Sequence, residues 1–205
     1  MNVLIIISTL FVIGSIIGYI LEVIFRGVVE HKLVNPGFLL GPYLPIYGIG
    51  VILLYGISNI SLSMIPLWAA VLIKILLIGI SMTLIEFIGG LIFIRKLHIN
   101  LWDYSHMKGN IMGIISPIFS LIWLVIGSLY YFFLNPLLVE GITFISHYTI
   151  YSYFIGIVIG MMLVDLAYSI HLASRLKRFK EIEYIRFDAL RTKILGKIKK
   201  FRKNR

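Results

Sequence analysis

Five apolar runs set the terms on which this chain can fold. They extend from about Val3 to Phe25, from Gly41 or Pro42 to Ser58, from Ile65 to Ile94, from Ile111 to Leu134 and from Tyr148 to Ile170. A hydrocarbon core about 30 Å thick takes about 20 such residues as helix. Inside it every backbone polar group must be bonded within the protein, which a helix achieves along its own length. With 60% of its 205 residues apolar and a mean hydropathy of +0.99, the chain lacks the polar surface of a soluble domain of its size. The expected fold class is therefore an all-α integral membrane protein of about five transmembrane helices. At about 1.5 Å per residue the third run exceeds one bilayer core, so it must tilt or protrude, with Lys74 snorkelling to an interface. The N-terminus has no basic region and no small-residue cleavage site, and its first run reads as a retained helix.

Charge is distributed unevenly. The net +10 comes from the C-terminal end, where residues 173 to 205 hold 13 Lys or Arg against 3 acids, leaving 6 of each sign before it. Short connections rich in Lys and Arg stay cytoplasmic. Arg26 and Lys32 follow the first run, Arg95, Lys96 and Lys108 follow the third, and the tail follows the fifth, whereas the turns after the second and fourth carry no base. This predicts an N-terminus outside, a C-terminus in the cytoplasm, and a multi-pass protein of the inner membrane. The domain division that follows is a helical bundle over 1–172, with helix pairs at 3–60 and 65–134 and a last helix at 148–170, and a cytoplasmic tail over 173–205. In the tail Ile182, Ile185, Phe187, Leu190, Ile194, Ile198 and Phe201 recur among the bases. That is the pattern of an amphipathic helix lying on anionic lipid headgroups. Docking to an acidic protein is the alternative, and nucleic acid ranks below both because a tethered tail meets lipid first.

The connection Asn35-Pro36-Gly37-Phe38-Leu39-Leu40-Gly41-Pro42-Tyr43-Leu44-Pro45-Ile46-Tyr47-Gly48 holds three prolines and three glycines and no charge. A solvated loop would be polar, so this is read as irregular backbone re-entering the membrane, shaped by Gly37, Gly41, Pro42 and Pro45. A second cytoplasmic connection, His98 to Asn110, re-enters in the same way. Within the runs stand three acids, Glu22, Glu86 and Asp165, each expensive in hydrocarbon and normally kept for a pair, a pathway or a site. Glu22 shares a helix face with Gly14 and Gly18, and Arg26 at i+4 could pair with it. Glu86 shares its stripe with Gly79, Thr83 and Gly90. It has no base one turn away, so its partner must come from another span unless it is protonated. Asp165 is followed one turn later by Tyr168 and Ser169, both able to bond a carboxylate. The Gly14-xxx-Gly18 and Gly156-xxx-Gly160 patterns read as packing devices, with a homo-oligomer left open.

Glu22 and Glu86 end their spans in similar surroundings, and each is followed by a Pro/Gly-bearing re-entry, a faint internal repeat of the kind found in transporters. On Glu22 to Arg26, Asn35, Gly37-Phe38, Gly41-Pro42-Tyr43, Pro45-Ile46-Tyr47-Gly48, Glu86, Trp102-Asp103-Tyr104-Ser105 and Asn110, the chain resembles the ABC-transporter type IV, or CmpB-like, family of bacterial membrane proteins over roughly residues 10 to 135. The resemblance implies a permease-like subunit working with a cytoplasmic ATPase subunit. The chain itself carries no Walker Gly-rich loop, no ATPase domain and no recognisable coupling-helix motif. The resulting expectation is a transport component that handles a small polar solute in its cytoplasmic half, with protonation or ion binding at the acids as the switch. The residues expected to bind substrate or ion are Glu22, Arg26, Asn35, Tyr43, Tyr47, Glu86, Trp102, Asp103, Tyr104, Ser105, Asn110 and Asp165.

Two other classes stay open. An intramembrane enzyme acting on a lipid or prenyl-type substrate could use the acids together with Asp103 and His106 near the membrane surface, and a non-catalytic assembly or sensor subunit needs no such chemistry. His31, His98, His106, His147 and His171 form no HExxH and no pair at helical spacing, so no metal site is expected. With no cysteine there is no disulfide, thiolate nucleophile or Cys-based cluster,. No cofactor is expected.

Overall fold

The computed structural model describes residues 3–31, 35–97, 100–148, 150–172 and Arg175. All regular elements among them are helices. They are α1 (Val3–Phe25), α2 (Pro45–Ser58), α3 (Leu67–Ile92), α4 (Pro117–Leu129), α5 (Asn135–His147) and α6 (Ile150–Leu172). Wider π turns extend α1 over Arg26–Glu30 and α3 over Phe93–Leu97, and another, Tyr130–Leu134, joins α4 to α5. Four helical stretches are long and apolar enough to cross a membrane: Val3–Val29, Leu67–Lys96, Pro117–Ile145 and Ile150–Leu172. Side chains such as Leu67 (81% exposed) and Val164 (72%) are uncovered by protein, a surface suited to lipid rather than water. The chain divides into two units, Met1–Asp165 and Leu166–Arg205. The packing described below belongs to the first. The basic tail expected over 173–205 lies outside the described residues apart from Arg175, as does His98.

The second helix is shorter than its apolar run. It starts at Pro45, not at Gly41 or Pro42, after an extended Leu44 that leaves proline in the first turn, where its missing N–H costs nothing,. The preceding backbone is spent elsewhere: the Tyr43 amide donates to Gly41 O at 2.9 Å and the Leu44 amide to Ser15 O of α1 at 2.9 Å. Its 14 residues rise about 21 Å, less than a bilayer core of about 30 Å.

The fourth run also departs from expectation. Its helix begins at Pro117, capped by the buried Ser116, whose Oγ accepts the Phe119 amide at 3.4 Å,. It does not turn at Asn135-Pro136. The π turn widens the helix just before the proline, and the Asn135 amide reaches Tyr130 O. Pro136 thus enters at the first turn of α5, without the clash and lost bond it would bring to a regular helix interior,. Asn135 Oδ1 accepts from Asn59 Nδ2 at 3.2 Å and Tyr130 Oη at 3.4 Å, tying the junction to the end of α2.

Helices α1 and α2, α2 and α3, and α3 and α4 run antiparallel, as their contact registers show. Gly14 faces Val51 and Gly18 faces Tyr47, and a Cβ on Gly18 would overlap the Tyr47 side chain. Only glycine lets α1 and α2 approach this closely, so the first Gly-xxx-Gly serves packing within the chain. The second meets none of the described residues: none lies within 4 Å of where a Cβ on Gly156 or Gly160 would stand. Between α2, α3 and the α4–α5 junction a core forms from Leu54, Ile78, Met82 and Tyr130. Lys74, expected to snorkel, instead donates to Ser58 O at the end of α2 at 2.8 Å and sits 5.7 Å from the Tyr131 ring centroid. The free carbonyls and partial negative charge of a helix C-terminus supply what the interface would have.

Candidate functional site

The antiparallel register brings the C-terminal ends of α1 and α3 beside the starts of α2 and α4, and there two of the three acids meet. Glu22 is held on both oxygens. Arg26 Nε donates to Oε1 at 3.1 Å, and Tyr47 Oη, one turn into α2, donates to Oε2 at 2.7 Å. The i+4 ion pair read from sequence therefore exists, and a phenol from the neighbouring helix completes it.

Glu86 lies deeper, at 6% exposure. Tyr104 Oη donates to Oε1 and Trp123 Nε1 to Oε2, each at 2.9 Å. The sequence called for a partner from another span unless the acid is protonated; Trp123 comes from α4 and Tyr104 from the second connection, both neutral donors. Tyr104 is fixed for this task from two directions: its amide donates to Gly113 O at 2.8 Å, and its ring stacks on Phe119 with centroids 4.3 Å apart. The Tyr47 and Trp123 rings meet edge to face at 6.2 Å, which joins the Glu22 and Glu86 arrangements into one cluster,. Burial, then the charge and hydrogen bond of Glu86, then the charge of Glu22, push the Tyr104 phenol up from its ordinary value, and Arg26 opposes them.

Asp165 belongs to a separate arrangement. Its Oδ1 accepts the Leu40 amide at 3.1 Å, and its Oδ2 accepts the Gly41 amide and Tyr43 Oη, each at 2.8 Å. Leu39 and Tyr43 pack with Met162 one turn before the acid. The sequence pointed to Tyr168 and Ser169 as groups able to bond it; the donors described above come from the α1–α2 connection, more than 120 positions away in the chain. Consecutive backbone amides aimed at one carboxylate form a strong anion-binding geometry, and here they anchor the connection to α6.

The remaining candidates shape the two connections. Asn35 Nδ2 donates to Leu39 O at 2.9 Å and Leu40 O at 3.1 Å, while its Oδ1 accepts the Gly37 amide at 3.0 Å. Asn110 does the same in the second connection, donating to Ser105 O at 3.2 Å and Met107 O at 2.7 Å and accepting the Gly113 amide at 3.0 Å. Trp102 Nε1 donates to Ile114 O at 2.9 Å. Asp103 Oδ1 accepts the Ser105 amide at 2.8 Å, and this bond holds the Asp103 carboxyl below its usual 3.8. Met112 and Gly113 adopt left-handed backbone, with φ of 57° and 69°, which for methionine is unfavourable without such a scaffold. Of the twelve candidate side chains, then, Glu22, Arg26, Tyr47, Glu86 and Tyr104 converge, Tyr43 and Asp165 pair, and Asn35, Trp102, Asp103, Ser105 and Asn110 build loops.

Sequence reasoning missed Trp123 and Phe119. A signal existed for both. A tryptophan inside a span needs an acceptor for its N–H, and Pro117-Ile118-Phe119 repeats Pro45-Ile46-Tyr47 at the start of the equivalent helix.

An all-helical protein with apolar spans that sequester a carboxylate–aromatic cluster is an integral membrane protein built around a polar centre. The sequence model of the family described as "Putative ABC-transporter type IV" matches residues 9–170, and the chain belongs to that family. No curated protein and no solved structure matches it.

Proposed function

We propose that the chain is the permease-like subunit of a transport system, and that the Glu22–Tyr47–Tyr104–Glu86 cluster is where a small polar solute is handled. Its N-terminus lies outside and its C-terminus in the cytoplasm of a bacterial cell membrane, which sets the cluster in the cytoplasmic half. The short α2 and the Asn35–Leu44 connection re-enter at membrane depth, anchored by Asp165. A cytoplasmic ATPase subunit supplies energy, and the basic tail rests on anionic lipid headgroups beside it. The observation that carries this reading is Glu86: a carboxylate 6% exposed on a spanning helix, held by two neutral donors from different elements. A buried acid without a counter-ion is poor for stability, and such groups in membrane spans mark pathways. Family membership supports the transport class.

The test begins with the tagged protein purified from native membranes in mild detergent, with co-eluting proteins identified and ATP hydrolysis measured. A stoichiometric ATPase is expected. Glu86→Gln, nearly isosteric, is expected to leave a monodisperse protein that still retains the ATPase but loses transport-coupled stimulation. Elution of the chain alone with no ATP hydrolysis would overturn the permease reading.

A further inference from the structure

The two acids of the cluster are balanced differently. Glu22 has Arg26 four residues on. The corresponding position after Glu86 is Gly90, where any side chain would run into Ile114 Cγ2. Helix α3 therefore cannot give Glu86 the counter-ion that α1 gives Glu22, and among the described residues no base from another element pairs with it. Among the described residues, the charged and titratable groups that face Glu86 and its phenol partner are Glu22 and Arg26 from α1 and its π turn, Tyr47 from α2, and Tyr104 itself from the second connection.

The two hydrogen bonds to Glu86 are not equivalent. An indole N–H only donates, so Trp123 keeps Oε2 an acceptor in every protonation state. A phenol donates or accepts. The Tyr104 bond therefore survives protonation of Oε1 by reversing: the Glu86 O–H donates to Tyr104 Oη, and the phenol proton turns outward. A metal cation would find no lone pair at the indole nitrogen, and among the described residues no group of three or more His, Asp or Glu gathers to hold one.

We propose that Glu86 is an exchangeable proton site, in which Oε1 takes and returns one proton through Tyr104 Oη while Trp123 holds Oε2 and the Glu22–Arg26 ion pair lies beside it. The exchange balances simply. A hydronium protonates the Tyr104 oxygen, that oxygen passes its own proton to Oε1, and one hydronium and one carboxylate become one water and one carboxylic acid. Tyr104 is the partly exposed residue of the pair and belongs to the second connection, so it is the group through which the proposal routes the proton. The inference deepens the transport reading by naming a proton as the species that the cluster couples to the solute.

The test is infrared difference spectroscopy of the full chain in lipid nanodiscs, titrated through acid pH. The expected result is a C=O stretch of a neutral carboxyl that grows as pH falls and is resolved, in the wild-type minus Glu86→Gln difference, from the bands of Asp103 and the other acids. It is lost in Glu86→Gln, and it shifts to higher frequency in Trp123→Phe, where the C=O loses its donor. In Tyr104→Phe it persists, but hydrogen–deuterium exchange at that band is slower. Absence of the band from the wild-type protein, its retention in Glu86→Gln, or an unshifted band in Trp123→Phe overturns the proposal. Should Glu86→Gln not fold, the Trp123→Phe shift alone decides. The spectrum needs no transport: a band with no ATPase or transport refutes only the transport reading, and transport with no band refutes only the proton site.

Discussion

Asp165→Ala removes the acceptor shared by the Leu40 amide, the Gly41 amide and Tyr43 Oη, and its effect can be worked from the geometry. The bonds to Gly41 and Tyr43 are 2.8 Å long and partly buried, whereas the Leu40 bond is exposed. Hydrogen bonds to a charged group contribute about 1.5–3 kcal/mol each, and buried donors left without a partner forfeit a similar amount. The exposed Leu40 donor is left out of the sum. The two buried donors then set the loss at about 3 kcal/mol or more. For a chain of this size that is a fall on the order of 6–12 °C in the thermal midpoint. Asp165→Asn keeps one acceptor but turns an NH2 toward a donor, so it falls between the wild type and Asp165→Ala. The assay is thermal unfolding of the detergent-solubilised protein, with limited proteolysis mapped to residues 35–44. An unchanged midpoint together with an unchanged cleavage pattern would refute the claim that this carboxylate holds the connection.

Gly18→Val drives a branched side chain into Tyr47, so the α1–α2 contact must open at a cost of about 1–3 kcal/mol,; a lower thermal midpoint and loss of monodispersity on size exclusion are expected. Asn135→Leu deprives Asn59 and Tyr130 of their common acceptor at the α4–α5 junction, a loss of about 1–3 kcal/mol, readable as a lower midpoint with unchanged helical circular dichroism. Asp103 has a folded value held below 3.8 by the Ser105 amide, so its contribution is complete above that value and disappears as pH falls through the lowered one. Asp103→Asn is expected to flatten the acid limb of amide-exchange protection in residues 100–116, and superimposable acid limbs would count against it.

Much of the architecture is legible in the residues because bilayer burial is a local demand. The length and hydropathy of α1, α3 and the Ile150–Leu172 helix state it directly, and the Glu22–Arg26 pair follows from helical spacing alone. The start of α2 was misplaced by three or four residues. Periodicity registers that Gly41 to Leu44 are apolar, but not that their amides bond Asp165, Gly41 O and Ser15 O. The continuation through Pro136 was hidden for a related reason: proline signals a break, and only the π turn, steadied by Asn59 and Tyr130, removes the clash.

By itself the sequence determined that this is a helical membrane protein and which polar groups its spans must accommodate, because the hydrophobic effect and backbone hydrogen bonding act within each segment. Only the tertiary structure decided the donors that hold Glu86 and Asp165. Glu86 takes Tyr104 and Trp123 from 18 and 37 positions away, and Asp165 takes Leu40 from 125 away. A buried carboxylate demands donors without specifying their source; helix register, set by which glycines let neighbouring helices close, makes the choice.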